Sequence, residues 1–286
     1  MAQALGAARG RKISVAVVTR KRQTMGLAKS RSGIPLVFAE SAAARFDTPP
    51  VLNVDNVLVL ADTHAPYHDA EWCSRVVMWA QGAGIRDVVI AGDLIDFEVF
   101  SSFVQAMVDE KALDLGDELK AAQTICETLL ARFPGRVLML IGNHERRLAG
   151  YVDVQVRLDI LRRLLGVGAG RFELSPYSYA IVQNTAGEEW RVTHPKNSSV
   201  VPVSVAAKLA DKYRQHVVAA HGHDWGEATS VSGRYAAASG CCADVTRLAY
   251  VALVDSTRPR PQNGAWALVR GKPVLLHPVY RPPEVT

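Results

Sequence analysis

The sequence predicts one α/β sandwich over residues 51–286, preceded by a basic, irregular extension over residues 1–50. Three observations carry this expectation. Short apolar runs stop abruptly in polar residues, helical periodicity fills the gaps between the first of them, and the order is strand–helix–strand–helix–strand. Runs of that kind suit strands buried on both faces, and that order implies a parallel sheet with helical crossovers.

The elements follow in order. Pro49–Pro50 breaks the chain before the first strong strand, Val57–Ala61. Ala70–Ala83 places Val76, Val77 and Ala80 at helical spacing and leads to the strand Val88–Ala91. Asp117–Phe133 repeats the pattern with Leu119, Ala122, Ile125, Leu129 and Leu130, and the strand Val137–Ile141 follows. A basic helix is expected over Val154–Leu165, strands at Tyr179–Val182 and Trp190–Thr193, a helix over Val203–Arg214 and a strand at Val217–Ala220. Further strands are expected at Thr229–Ser232, Tyr250–Val254, Ala265–Val269 and Val274–His277. A weaker strand and helix signal lies within Ile34–Arg45.

Composition limits the classes. With 49% hydrophobic and 21% charged residues over 286 positions, the chain can bury a large core and is not disordered throughout. The net charge of +5 belongs to the extension. Residues 1–39 hold eight basic side chains (Arg9, Arg11, Lys12, Arg20, Lys21, Arg22, Lys29, Arg31) and no acid, which leaves the remainder slightly acidic. Such an arm reads first as a solvated tail, and second as an attachment for nucleic acid through its phosphates. Its acid-free composition also overlaps with transit peptides, but the run Ile13–Val18 is too short for a secretory core. No stretch approaches the ~18 apolar residues of a membrane span. Cys73, Cys126 and the pair Cys241–Cys242 form no CxxC spacing, so a reducing, cytoplasmic setting is expected.

Chemistry concentrates where strands end. Asp62-Thr-His64 follows the first strand, Gly92-Asp93-Leu-Ile-Asp96 the second and Gly142-Asn143-His144-Glu145 the third. His194 follows Trp190–Thr193, and His221-Gly-His223 follows Val217–Ala220. In a parallel sheet these ends share one rim, where ligands bind. A single Asp there is ordinarily a cap and a single His a surface residue. Five of the eight histidines fall inside this one ordered set, however. Imidazole mixed with carboxylate and amide oxygen suits Mn, Fe, Zn or Ni. Asp62, His64, Asp93, Asn143, His194, His221 and His223 are too many donors for one ion, and suffice for two divalent ions sharing a carboxylate.

The ordered motifs D-x-H, G-D-x-x-D, G-N-H-[ED], a later His and H-x-H resemble those of the calcineurin-like metallophosphoesterases over about residues 55–280. Gly240-Cys241-Cys242 through Tyr250 to Asn263-Gly264 looks like the single-domain branch found in phages and bacteria. The resemblance implies the calcineurin-like fold, a four-layer α/β sandwich, and hydrolysis of a phosphoester substrate by a metal-bridging hydroxide. By position, it implies Asp62, His64, Asp93 and His223 on one ion and Asp93, Asn143, His194 and His221 on the other, with Mn expected. His144 would be the general acid and Asp96 would orient its ring.

Four positions depart from the pattern. Ala220 stands for Gly, Pro195 for a common Gly, Asp224 for a basic or neutral residue, and Phe97 where phosphoprotein phosphatases carry Arg. The missing Arg and the basic arm favour a phosphodiesterase acting on nucleic acid or nucleotides. A phosphomonoesterase, a silent metal- or nucleic-acid-binding module of the same fold, and a metal-dependent amidohydrolase barrel stay open. Phe97, Phe100 and Phe103 read as a core stripe or a stacking surface, Trp225 as a lid or a packed residue, and Arg146–Arg147 as phosphate contacts or a solvated helix start.

Overall fold

A computed structural model describes residues 47–101, 114–148, 158–253 and 255–279. The expected strand and helix within Ile34–Arg45, Phe103, and the start of the helix expected at Val154 lie outside the described residues.

In chain order the elements are β1 (Val51–Asn53), β2 (Val57–Leu60), α1 (Ala70–Gly82), β3 (Asp87–Ile90), α2 (Leu115–Arg132), β4 (Val137–Leu140), α3 (Leu158–Leu164), β5 (Phe172–Ser175), β6 (Tyr179–Gln183) and β7 (Glu189–Thr193). Then follow α4 (Ser204–Tyr213), β8 (His216–Ala219), β9 (Trp225–Thr229), β10 (Tyr235–Ser239), α5 (Ala249–Ala252), β11 (Ala265–Val269) and β12 (Lys272–Leu276). The strands form two six-stranded sheets. One has the order β12-β11-β2-β3-β4-β5, with β2 to β5 parallel and β11 and β12 antiparallel; the other has β1-β6-β7-β8-β10-β9.

The period of two along each strand builds four layers. On β2, Leu58 and Leu60 join Trp72, Val76 and Ala80 of α1 and Ala122, Cys126 and Leu129 of α2. Val57 and Val59 point the other way and meet Val182, Trp190, Val192 and Val218 of the second sheet. α4 covers the far face of that sheet, with Ala206 and Ala210 on Val217, Ala219 and Ala236. Apolar residues on both faces of the first sheet explain why its strands read as unbroken apolar runs. The helix ends are chemically specified: Asp69 accepts the Trp72 N–H at 2.9 Å to start α1, and Asp114 accepts that of Gly116 at 3.0 Å to start α2.

Several sequence expectations need correction. The Thr229–Ser232 strand is a turn: β9 ends at Thr229, and Gly233, with φ of +77°, donates back to Ser230 before β10. Tyr250–Val254 opens with the helix α5, its Val251 and Ala252 N–H groups closing on Leu248. A short apolar run does not distinguish strand from helix. β10, Tyr235-Ala-Ala-Ala-Ser239, was not expected as a strand, because three alanines favour helix; burial between α4 and the inter-sheet core overrides that preference. β1 and β5 were also not anticipated.

One buried carboxyl lies beneath the second metal motif. Glu118 of α2 accepts the Glu98 N–H at 3.0 Å through Oε1, while Oε2 has no partner. Burial, with Asp96 nearby, pushes this carboxyl up to about 7 from 4.5. A folded-state value above the unfolded one contributes stability in full below about 4.5, and that contribution is lost as pH rises through about 7. Glu118→Gln is therefore expected to raise the Tm at pH 8 and to change it least near pH 5. Melting curves at the two pH values check this, and equal shifts at both would contradict it.

Candidate metal centre

The expected ligands arrive from both sheets, not from one rim. Asp62, Asp93 and Asn143 follow β2, β3 and β4 of the first sheet. His194, His221 and His223 follow the parallel pair β7 and β8 of the second. The loops are joined by backbone bonds, Asp62 N–H to Gly92 O at 3.2 Å and His64 N–H to Asp93 O at 3.0 Å. Asp62, His64, Asp93, His221 and His223 all have positive φ, between 47° and 71°. Non-glycine residues rarely adopt that region, and the strain is held where side chains must converge. The neighbouring glycines leave no alternative. A Cβ on Gly142 would lie 2.1 Å from Asp93 Oδ1, and one on Gly92 would lie 2.6 Å from His194 Nδ1.

The donor atoms form overlapping groups. Asp62, His64 and His223 offer ligand atoms within 4.8 Å of one another, and so do Asp93, His194 and His221. Asn143 Oδ1 lies 3.0 Å from His194 Nε2, which completes the seven. Two buried oxygens face inward without partners, Asp62 Oδ1 and Asp93 Oδ2. His223 Nε2 lies 3.3 Å from that Asp62 oxygen and 3.1 Å from His64 Nε2. His194 Nε2 lies 3.4 Å from Asp93 Oδ2. Orphaned carboxylate oxygens facing imidazole nitrogens are a poor hydrogen-bond network and a good donor set for cations. The residues therefore fit divalent ions, and Asp93 lies within reach of His64 as well as of His194 and His221.

Outer contacts aim the rings. His194 Nδ1 donates to Ala91 O at 2.8 Å and His64 Nδ1 to Asp96 Oδ1 at 2.7 Å, which turns each Nε2 inward. Asp96 also receives His144, whose Nδ1 lies 2.7 Å from its backbone oxygen and 3.0 Å from Oδ1. The sequence assigned Asp96 to His144 alone; here one carboxylate orients both the expected acid and an expected ligand. His144 also lies close enough to His64 and Asp93 to join a third potential ligand group, although the sequence reading kept it apart. Its Nε2 lies 3.0 Å from Arg147 Nη2, whose neighbour Nη1 donates to Asp96 O at 2.9 Å.

Glu145, to which the sequence reading gave no role, is completely buried. Its two oxygens accept N–H groups from Asp93, Leu94 and Gly142 at 2.8–3.0 Å, and from Ile95 at 3.3 Å. The acid that ends Gly142-Asn143-His144-Glu145 thus ties the second and third motifs together. Other expectations resolve as packing. Phe97 is fully buried and Phe100 packs beside it, so these two rings belong to the core. Trp225 donates Nε1 to Leu276 O at 2.9 Å and packs on His277. Asp224 accepts the Val203 N–H at 2.7 Å at the start of α4.

Charge alternates across the site. Burial opposes ionisation of Asp93, but His144 and His194 outweigh it and hold the carboxyl well below its usual range. Burial likewise opposes charge on His194, yet Asp93 raises it to about 10. His64 is lowered, by burial and then by His144.

A family model for calcineurin-like phosphoesterases matches residues 56–283. The chain belongs to this family. It is a metal-dependent phosphoester hydrolase with the α/β sandwich of its family, and its donor clusters suit divalent ions. Solved structures similar to the phosphoesterase include an archaeal phosphodiesterase (11% identity, 77% of this chain and 98% of that one, TM-score 0.43). Vacuolar protein sorting 29 from Cryptosporidium parvum is 18% identical over 77% and 89% of the two chains, with a TM-score of 0.41. A dimetal phosphatase from Danio rerio is 13% identical over 78% and 95%, with a TM-score of 0.42. A comparison with curated protein sequences gives no match.

Since His194 holds its proton up to about pH 10 without metal, loading at pH 7 must expel it. Titration calorimetry with Mn²⁺ in buffers of different ionisation enthalpy is expected to show proton release, and affinity is expected to fall as pH is lowered. A binding enthalpy independent of buffer would contradict this.

Proposed function

We propose that the phosphoesterase binds two divalent ions, one through Asp62, His64, Asp93 and His223 and one through Asp93, Asn143, His194 and His221, and cleaves phosphodiesters of nucleic acid or nucleotides. The observation that carries the two-ion reading is the pair of donor groups, each holding an inward carboxylate oxygen without a partner. Two ions bound there would activate water, bind the phosphoryl oxygens and offset the charge that develops on them. Manganese is our proposed occupant.

The chain's own groups do the rest. His144 serves as general acid toward the leaving oxygen through Nε2, with Nδ1 held by Asp96. Burial disfavours its charged form, but Asp93 and Asp96 outweigh that and raise its pKa. Arg147 lies against Nε2, so a substrate oxygen entering there meets both groups. Asn143, the exposed member of the donor set, marks the side open to substrate.

Support for a diester comes from Phe97, whose full burial leaves no phosphate-gripping cation at that position. Arg147 supports the second reading, a phosphomonoesterase, because a guanidinium beside the acid suits a dianion. We assign the hydrolase to residues 51–286 and a basic extension to residues 1–50, of which 1–46 lie outside the described residues. The four free cysteines support a cytoplasmic setting. Among the described residues no helix is long and apolar enough to cross a membrane.

Metal-loaded protein is expected to cleave bis-(p-nitrophenyl) phosphate faster than the mono-ester; the reverse order would favour the second reading. Asp93→Asn is expected to lose metal and activity together. His144→Ala is expected to keep metal and lose about 10²–10⁴ in rate; retained activity would remove His144 from the mechanism. Deleting residues 1–45 is expected to weaken nucleic-acid binding and flatten its salt dependence, with turnover of small substrates unchanged.

A further inference from the structure

Tyr250 belongs to none of the motifs, yet α5 brings it to the metal centre. Its ring meets that of His64 edge-on, with centroids 6.4 Å apart and planes at 62°. His64 in turn lies 4.4 Å from His144 and 5.0 Å from His223, so Tyr250 is one ring removed from both the expected acid and an expected ligand. Its hydroxyl is withdrawn from solvent and has no hydrogen-bond partner among the described residues. Buried tyrosine hydroxyls ordinarily find a partner, because an unpaired one carries a desolvation cost.

The position is held from both sides. The aromatic ring packs on Cys241, Ala243 and Leu248. The loop before it is bonded to the first metal motif, Cys242 N–H to Ala61 O at 3.0 Å and Asp244 N–H to Tyr67 O at 2.7 Å. An O–H without a partner, on a ring that meets His64, is suited to an incoming acceptor. In a phosphoesterase that acceptor is an oxygen of the phosphoryl group.

We propose that Tyr250 binds substrate, donating its phenolic hydrogen to a phosphoryl oxygen beside His64 and His144. This rests on the phosphoester reading above. The hydroxyl would hold the phosphoryl group against the acid and raise affinity for phosphate itself.

Tyr250→Phe isolates the hydroxyl, because the ring and its packing stay. In metal-loaded, full-length protein the variant is expected to keep its metal content and to match or exceed the wild-type Tm. Affinity for inorganic phosphate, measured by calorimetry, and kcat/KM are each expected to fall about 10–100-fold, the usual value of one hydrogen bond to a charged group. Unchanged phosphate affinity and kcat/KM would overturn the proposal, as would a Tm lowered by several degrees or a loss of metal, either of which assigns the hydroxyl to the fold. Wild-type protein that hydrolyses no phosphoester yet binds phosphate more tightly than Tyr250→Phe would sink the hydrolase reading and leave this one standing.

Discussion

The buried carboxylate of Glu145 is the constraint on which the site depends. It accepts four backbone N–H groups, three from the loop after β3 and one from the loop after β4. An uncompensated charge at this depth would be very costly, and four donors without an acceptor would cost about 1–3 kcal/mol each. Each side of the arrangement needs the other. Asp93, between the two donor groups, is positioned by its own N–H on Glu145 and by the His144 N–H on its Oδ1 at 2.9 Å. The expected acid, His144, and the expected bridge, Asp93, are therefore fixed to one another through main chain, which leaves little freedom to adjust.

That rigidity explains the local strain. A chain leaving a strand with ordinary φ would carry its next side chain away from the gap between the sheets. Five of the expected ligand residues adopt positive φ instead, and Gly92 and Gly142 remove the side chains that would obstruct them. Such conformations persist only where surrounding contacts over-determine them. Here the contacts are the inter-sheet core beneath the loops and the backbone bonds between them. The fold thus makes oxygen and nitrogen lone pairs converge, at a cost carried by the apolar layers.

Much of this was legible in the sequence. Every expected donor sits after a strand because an apolar run closing in Asp, Asn or His is a pattern with a physical reason. The first three strands and the helices α1, α2 and α4 fell within a few residues of their places, while the start of the helix expected at Val154 lies outside the described residues. What the sequence hid was relational. Two sheets cannot be told from one by periodicity, since both bury alternate residues. Glu145 looked like the tail of a motif because three of its four partners are main-chain groups 50–52 residues away. Tyr250 was hidden in a run read as a strand, and nothing in a linear string reveals that its hydroxyl lacks a partner. Asp96 was assigned one histidine because its second contact, His64, comes from a different loop.

That shared carboxylate makes the two halves of the chemistry thermodynamically reciprocal. With His64 as a ligand and His144 as the acid, as proposed, whatever draws His64 toward a cation would also change the hold of Asp96 on His144, so ion occupancy and the proton on His144 would report on each other. Replacing Asp96 would perturb both at once, and its effect cannot be partitioned between them by a single variant. Only a cycle that pairs it with His144 and with His64 separately resolves how much belongs to each.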